Sequence, residues 1–194
     1  DCLLSRGLGD VYKRQAVDSN QIFIDGLIVP EAHRIGEEGK GFSYLLDSLN
    51  PERILIAAEA LGIGKTALRR AVEYAGQRIV FDRPIGQNQS IQHPLAENWV
   101  ELEAAGLLIA KAAHLYDSGA PAGGMANAAK YFAAEAGFKA ATQAVMTLGG
   151  MGYAKEYHVE RLLRESLIPR LAPVSAQMVL NYIAERVLGL PKSY

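Results

Sequence analysis

A carboxylate and a guanidinium stand side by side in the stretch NPERILIAAEALG, which covers residues 50 to 62. A carboxylate held close to a weakly acidic proton can act as a general base, so Glu52 is the first candidate for chemistry. Helix capping is the alternative explanation. Asn50 suits an N-cap, Pro51 suits the first helical position, and Glu52 complements the positive end of a helix dipole. The local sequence leaves both explanations open.

Metal binding is a second chemistry to consider. His93 and Glu97 would share a helix face, as would Glu97 and Glu101. Di-iron sites in helical bundles use Glu-x-x-His pairs, however, and the sequence contains none. Solvated charged faces are the commoner cause of such spacing, so we expect no metal site.

Two glycine-rich stretches, GEEGKGF and LGGMGY, raise the question of phosphate binding. Neither stretch lies between a predicted strand and a predicted helix, as a dinucleotide fingerprint requires, and neither matches a P-loop. From the pattern alone, both stretches are more typical of turns or helix ends.

The composition excludes several classes of partner. The 194 residues include 20 Lys and Arg against 21 Asp and Glu, which gives a net charge of -1 and no basic field for nucleic acid or an anionic membrane. No apolar run reaches the roughly 18 residues that a membrane span needs. The single cysteine, Cys2, excludes an intrachain disulfide and fits a reducing compartment, so we expect a cytoplasmic protein.

The elements that would position these residues are mostly helices. Residues 1–15 show no sustained period and are interpreted as a loose lead, whereas β-branched residues on both sides of Asp25 and Gly26 predict a strand, a turn and a second strand. From Asn50 onward the apolar spacing changes to three and four residues. It predicts five helices: one from Asn50 to before FDRPIG, one with Pro94 near its start and Gly119 as its stop, one from Met125 to about Leu148, one around HVERLLRE and one from about Ser175 to Leu188. The predicted fold is mainly α, an antiparallel bundle with a short N-terminal β segment.

Several separated motifs together resemble one known family. They are ERILIAAEALGIGKTALRRAVEYAGQR, RIVFDRPIGQNQSIQHPLAE and TLGGMGYAKEYHVERLLRE, in this order and with this spacing. From about Val17 to Tyr194 the chain is similar to the C-terminal helical domain of the acyl-CoA dehydrogenases, which has a four-helix-type bundle. The resemblance implies an FAD enzyme that removes the α-proton and the β-hydride of an acyl-CoA thioester, forms a trans-2-enoyl-CoA and passes electrons to an electron-transfer flavoprotein.

The resemblance also carries expectations about domains and partners. We expect residues 1–15 to be a non-native or disordered lead, residues 16–48 to be the end of the family's middle β-domain with a linker, and residues 49–194 to be the helical domain. The chain would then be incomplete and inactive by itself. The family shares its flavin site between subunits, so a homodimer or homotetramer is implied for the intact enzyme.

Individual roles follow from the matching positions. Arg78 and Phe81 match residues that contact the FAD of the neighbouring subunit, and Gly149 with Gly150 matches the backbone that approaches its pyrophosphate. Arginine offers several donors to phosphate oxygens, and glycine lets main-chain N–H groups come close. The resemblance likewise assigns Gln89 and Ser175 to the cofactor and Arg53 to the substrate. Asp82 stands where the family usually has glycine.

One departure concerns the catalytic base. Most of the family has a Tyr-Glu-Gly-Thr-Ser pattern carrying the catalytic glutamate, whereas this chain has Ala-Pro-Val-Ser-Ala at residues 172–176, with Pro173 at the glutamate's position. The isovaleryl-CoA branch instead places that glutamate at the start of the first bundle helix, in a pair that matches Glu52 and Arg53. The resemblance therefore implies that Glu52 is the base. A catalytically silent helical module that holds subunits together, or a related flavin oxidase, are the alternatives.

Overall fold

The computed structural model describes residues 4–7 and 20–193. The chain divides into two compact units, Asp1–Asp47 and Ser48–Tyr194. The described residues are mainly helical, which confirms the predicted fold class. No described helix combines the length and the apolar character that a membrane crossing requires.

The first unit contains a two-stranded antiparallel sheet. Strand β1 (Leu4–Gly7) pairs with β2 (Asn20–Phe23). The predicted second strand after Gly26 is wrong, because residues 24–30 have no regular structure and β2 pairs with the earlier strand instead. Pro30 has no N–H to donate to a ladder there. The remaining residues of the predicted lead, 1–3 and 8–15, lie outside the described residues.

Helix α1 (Gly41–Gln77) begins nine residues before the predicted start at Asn50. Pro51 therefore lies inside the helix, and the predicted N-cap at Asn50 is wrong. The Asn50 side chain instead accepts a hydrogen bond from the Arg53 guanidinium at 3.2 Å. Proline removes one backbone hydrogen bond from a helix interior. The helix nevertheless continues, because Ile54, Ala57 and the residues that follow bury one face in the core.

The second unit contains the remaining elements. After α1 they are β3 (Ile79–Val80), β4 (Arg83–Pro84), α2 (Gln89–Asp117), α3 (Gly123–Leu148), α4 (Val159–Ser166), α5 (Ile168–Leu171) and α6 (Ala176–Tyr182), the last of which runs into a π-helical turn at Ile183–Val187. The third, fourth and fifth helices expected from the sequence match α3, α4 and α6 with its π turn. Ser175 caps α6, since its Oγ accepts from the Met178 N–H at 3.4 Å.

Small residues let the long helices approach closely. Alanines of α1 and α3 such as Ala57, Ala67, Ala133 and Ala141 are completely buried. At the closest approach, a Cβ added to Gly137 of α3 would lie 2.5 Å from the Ala60 carbonyl oxygen of α1. The contact leaves no room for a side chain at Gly137.

The contacts define the helix directions. Residues later in α1 contact residues later in α3: Asn50 lies near Gly123, and Ala60 lies against Gly137. These two helices are therefore parallel. Helix α2 runs antiparallel to α1, because Lys65 pairs with Glu103 while Ala75 lies against Gly86 just before α2. The C-terminal ends of α1 and α3 and the N-terminal end of α2 therefore lie at the same end of the unit.

We predict that Gly137→Ala destabilises the helical unit by about 2 kcal/mol, because the new methyl group collides with backbone that has no space to move. Gly62→Ala is the matched control on α1. A Cβ at Gly62 meets nothing within 4 Å, so this change should stabilise the helix by about 0.5 to 1 kcal/mol through propensity alone. Urea unfolding of the two variants measures both effects. Equal stabilities would show that α1 and α3 are not in backbone contact.

Candidate functional site

The candidate site residues fall into two groups at opposite ends of the helices. The hairpin end comprises Arg78, Phe81, Gln89 and the pair Gly149–Gly150. The polar end comprises Glu52, Arg53, Lys130 and the loop of residues 172–175. Along α1, the 25 residues between Arg53 and Arg78 correspond to about 37 Å at 1.5 Å per residue. A single copy of the chain does not bring the two groups together.

A strained hairpin presents Phe81 to solvent. Strands β3 and β4 are joined by Phe81 and Asp82, whose φ values of 52° and 61° are both positive. Two-residue hairpin turns of this kind favour asparagine, aspartate and glycine, and a bulky residue there is strained. The Phe81 side chain is 93% exposed, so burial in this chain does not compensate for the strain. Strain together with an exposed aromatic ring is typical of a contact site.

Arg78 connects helix α1 to this hairpin. Its backbone N–H donates to the Tyr74 carbonyl at 2.8 Å, and its carbonyl accepts from the Ile85 N–H at 2.9 Å. The backbone is thus fixed, while Arg78 as a residue is exposed. Gln89, the first residue of α2, is also exposed at this end. Arg78, Gln89 and Phe81 are thus all exposed at the hairpin end.

The glycine pair after α3 exposes its backbone. Gly149 has a φ of 59°, and a Cβ built on Gly149 or on Gly150 would meet nothing within 4 Å. Gly152 differs, because a Cβ there would lie 2.4 Å from the Val145 carbonyl oxygen. Gly152 is therefore required for packing, whereas Gly149 and Gly150 leave open space in which a ligand can approach the main chain.

Contacts between α1 and the segment after the glycine pair hold the hairpin end together. The Arg70 guanidinium donates to the Tyr157 carbonyl at 3.1 Å, and the Tyr74 and Tyr157 rings meet edge to face with centroids 6.0 Å apart. These contacts position residues 149–157 against the last turns of α1.

At the polar end, neighbouring residues of α1 point in different directions. Glu52 is exposed, whereas Arg53 is 8% exposed and turned into the fold. Burial lowers the pKa of Arg53, while Tyr182 and Glu52 act in the opposite direction. One Arg53 nitrogen, Nε, is buried and has no partner among the described residues. The Glu52 carboxylate can therefore face a ligand, and the buried Arg53 guanidinium places positive charge near it.

Lys130 is a further residue of the polar end that the sequence reasoning missed. It is 1% exposed, and its Nζ donates to the Val174 carbonyl at 2.6 Å. Burial, followed by the charge of Arg53, lowers its pKa to about 8, and Glu135 acts in the opposite direction. The sequence does contain a signal, because Ala126, Ala129 and Ala133 place Lys130 on the apolar face of α3.

The acidic residues of α2 have a different role. Glu97 and Glu101 both pair with Lys139 of α3, at 3.0 and 2.8 Å. Within residues 20–193, no group of three or more His, Cys, Asp and Glu side chains is placed to hold a metal ion.

Comparisons with known proteins point to one family. The family model for the acyl-CoA dehydrogenase C-terminal domain matches residues 39–188. Acyl-CoA dehydrogenase fadE12 of Mycobacterium bovis is 46% identical over 176 residues, which are 90% of this chain and 45% of that protein.

The solved structures that superpose on this chain include two acyl-CoA dehydrogenases. The glutaryl-coenzyme A dehydrogenase glutaryl-CoA complex superposes with a TM-score of 0.92 at 33% identity, covering 98% of this chain and 48% of that one. Butyryl-CoA dehydrogenase from Megasphaera elsdenii superposes with a TM-score of 0.86 at 36% identity, covering 88% and 45%. The chain spans about half the length of the relatives it matches.

The buried lysine generates a pH prediction. The pKa of Lys130 lies below that of an unfolded lysine, so the buried charge destabilises the fold below about pH 8, and the penalty disappears as pH rises toward 10.5. Between pH 7 and pH 10, the free energy of unfolding of the wild type should therefore rise relative to that of Lys130→Met. Urea unfolding across this range measures the difference.

Lys139→Met is the control for this measurement. Hydrogen bonding to Glu101 raises the pKa of Lys139, so this ion pair contributes its full stabilisation below about pH 10. The difference in the free energy of unfolding between the wild type and Lys139→Met should therefore not change from pH 7 to pH 9. A flat difference for Lys130→Met as well would show that Lys130 is not desolvated.

Proposed function

The chain belongs to the acyl-CoA dehydrogenase family, and from this premise we propose that it is the C-terminal helical part of an FAD-dependent enzyme that oxidises an acyl-CoA thioester to a trans-2-enoyl-CoA. The observation that carries the proposal is the position of Glu52. It lies about three turns inside α1, where the helix dipole no longer explains an acidic residue. Helix capping therefore does not account for Glu52, which supports the proposal that it is the general base.

In the proposed reaction, the Glu52 carboxylate takes the α-proton of the thioester. Glu52 is exposed in this chain, so the remainder of the enzyme has to cover it to make the dry surroundings in which a carboxylate becomes a stronger base. Arg53, buried directly beside it, supplies positive charge that favours the negative charge developing on the thioester oxygen. Bound FAD would accept the β-hydride.

The residues at the hairpin end fit a flavin cofactor. The Arg78 guanidinium can pair with phosphate oxygens, the exposed Phe81 ring can pack on an aromatic or ribose surface, and the backbone at Gly149–Gly150 is open to a pyrophosphate. We assign Gln89 to the same cofactor. Ser175 belongs to the polar end, and we assign it to the cofactor bound beside Glu52.

The separation of about 37 Å between the two ends supports an oligomer. The hairpin end and the polar end would serve two different FAD molecules, so that the Arg78 and Phe81 of one subunit complete the site that holds a neighbour's Glu52. A homodimer or homotetramer satisfies this arrangement. Electron transfer to a flavoprotein carrier completes the proposed cycle, and we propose a cytoplasmic location.

Glu52→Gln should lower the rate of dehydrogenation about 100-fold or more in the intact enzyme while FAD stays bound, because the amide keeps the shape but cannot take the proton. Anaerobic flavin bleaching by acyl-CoA is the measurement. Glu73→Gln is the matched control, an exposed glutamate of the same helix paired with Arg69 at 3.5 Å. Bleaching of the Glu52→Gln enzyme at the wild-type rate would refute the assignment, and an intact enzyme that binds FAD without bleaching would favour the silent helical module.

Arg78→Ala should reduce the FAD content of the purified intact enzyme by about 10-fold or more, because a charged hydrogen bond to phosphate is lost. Acyl-CoA binding should change less. Arg69→Ala, which removes an exposed arginine of the same helix, should leave the flavin content unchanged. The absorbance ratio of flavin to protein gives the result, and equal ratios in the two variants would contradict the cofactor role.

A further inference from the structure

The orientation of the buried Arg53 guanidinium depends on the acceptors around it. Arg53 is 8% exposed, and its Nη1 donates to the Asn50 side-chain oxygen at 3.2 Å. A guanidinium carries five N–H donors, so this one bond does not fix its orientation. Buried polar groups are normally hydrogen-bonded, and the further acceptors decide in which direction the remaining donors point.

Tyr182 of α6 brings a second oxygen to this place. A Cβ built on Gly123, the first residue of α3, would lie 2.5 Å from the Tyr182 hydroxyl oxygen and 3.9 Å from the Asn50 side-chain oxygen. Both oxygens therefore border the same small space beside Gly123. Burial lowers the pKa of Arg53, and Tyr182 is the foremost group that opposes this effect. The Tyr182 oxygen thus lies close enough to act on the guanidinium.

The hydroxyl fits in this space because residue 123 is glycine. A Cβ at 2.5 Å from the hydroxyl oxygen would collide with it. Glycine is a poor helix former, yet it begins α3 here. Asn127, which is 1% exposed, donates through Nδ2 to the Gly123 carbonyl at 2.8 Å and fixes the backbone beside the hydroxyl. A purely apolar contact between α6 and α3 would need neither the hydroxyl nor the glycine.

We propose that Tyr182 is a positioning residue of the reaction: its hydroxyl oxygen accepts from the Arg53 guanidinium and, together with the Asn50 oxygen, holds that cation facing the thioester. This inference rests on the proposed function. When Glu52 takes the α-proton, the electron pair of the broken C–H bond delocalises towards the thioester, and negative charge develops on its oxygen. A cation that is already oriented stabilises this charge without having to reorganise.

The packing of α6 does not depend on the Tyr182 hydroxyl. Val179 is completely buried and anchors α6 in the core, whereas Tyr182, three residues further along the same helix face, is 39% exposed. Loss of the hydroxyl should therefore change the stability of the fold little and the reaction rate more.

The test uses the intact FAD enzyme and saturating acyl-CoA thioesters, from butyryl-CoA to palmitoyl-CoA and including isovaleryl-CoA, with anaerobic flavin bleaching as the readout. Tyr182→Phe removes only the hydroxyl and should lower the maximal bleaching rate by about 10-fold, with FAD content and half-saturating acyl-CoA concentration changed less than about twofold. Tyr116→Phe, the same change at a tyrosine of α2 that is 45% exposed, should leave all three unchanged.

A double-mutant cycle distinguishes a positioning role from a structural one. If Tyr182 acts through Arg53, Tyr182→Phe should lower the bleaching rate less than about twofold in an Arg53→Lys enzyme, because lysine lacks the fork of donors that the hydroxyl orients. A hydroxyl that only stabilises the fold would lower the rate by the same factor in both backgrounds.

A chemical measurement without substrate keeps the test decisive if Arg53→Lys bleaches too slowly to measure. Phenylglyoxal modifies guanidinium groups, and its reaction with Arg53, followed by peptide mass spectrometry, should be faster in Tyr182→Phe than in the wild type. An unchanged labelling rate, a wild-type bleaching rate for Tyr182→Phe, or equal factors in the two backgrounds each overturn the inference while the proposed function stands. A wild-type enzyme that holds FAD but is bleached by none of these thioesters overturns the proposed function, and this inference with it.

Discussion

The backbone contact between α1 and α3 is the constraint on which the rest of the structure depends. A Cβ on Gly64 would lie 2.9 Å from the Gly137 Cα, and one on Gly137 would lie 2.5 Å from the Ala60 carbonyl oxygen. Contacts this close fix the register of two long helices, since a shift by one residue brings larger side chains into the crossing. That register places Arg53 beside Lys130 at one end and aligns the ends of α1 and α3 at the other. The packing of α1 against α3 through small residues therefore sets the geometry of both candidate groups.

The same crossing explains why two cations lie buried together. Parallel helices at short distance bring Arg53 and Lys130 close enough for the Arg53 charge to lower the pKa of Lys130, and both residues are buried. Burying a charge is unfavourable unless it is compensated, and the compensation here is partial: the Asn50 amide oxygen for Arg53 and the Val174 carbonyl for Lys130. A site with surplus positive charge suits a reaction that develops negative charge next to it.

Local rules are broken mainly where function is proposed. Phe81 adopts a positive φ in a turn that favours asparagine, aspartate and glycine, and Pro173 removes an N–H from the loop before α6. Elsewhere the sequence agrees with its structure, as at Gly119, which has a φ of 72° after α2. Departures of this kind concentrate at functional sites because the surrounding packing is stable enough to hold them.

By itself, the sequence determined the class of fold, the positions of α3, α4 and α6, and most of the candidate residues, because apolar periodicity, glycine stops and matched motifs are local signals. It misplaced the start of α1, since Asn50 and Pro51 form a strong local start signal that a continuous apolar face overrides. Only the tertiary structure decided that β2 pairs with an earlier strand, that Glu52 and Arg53 point to different surroundings, and that Lys130 reaches Val174. Each of these depends on residues far apart in the chain, the last on a separation of 44 residues, and burial and charge coupling exist only once the helices have packed.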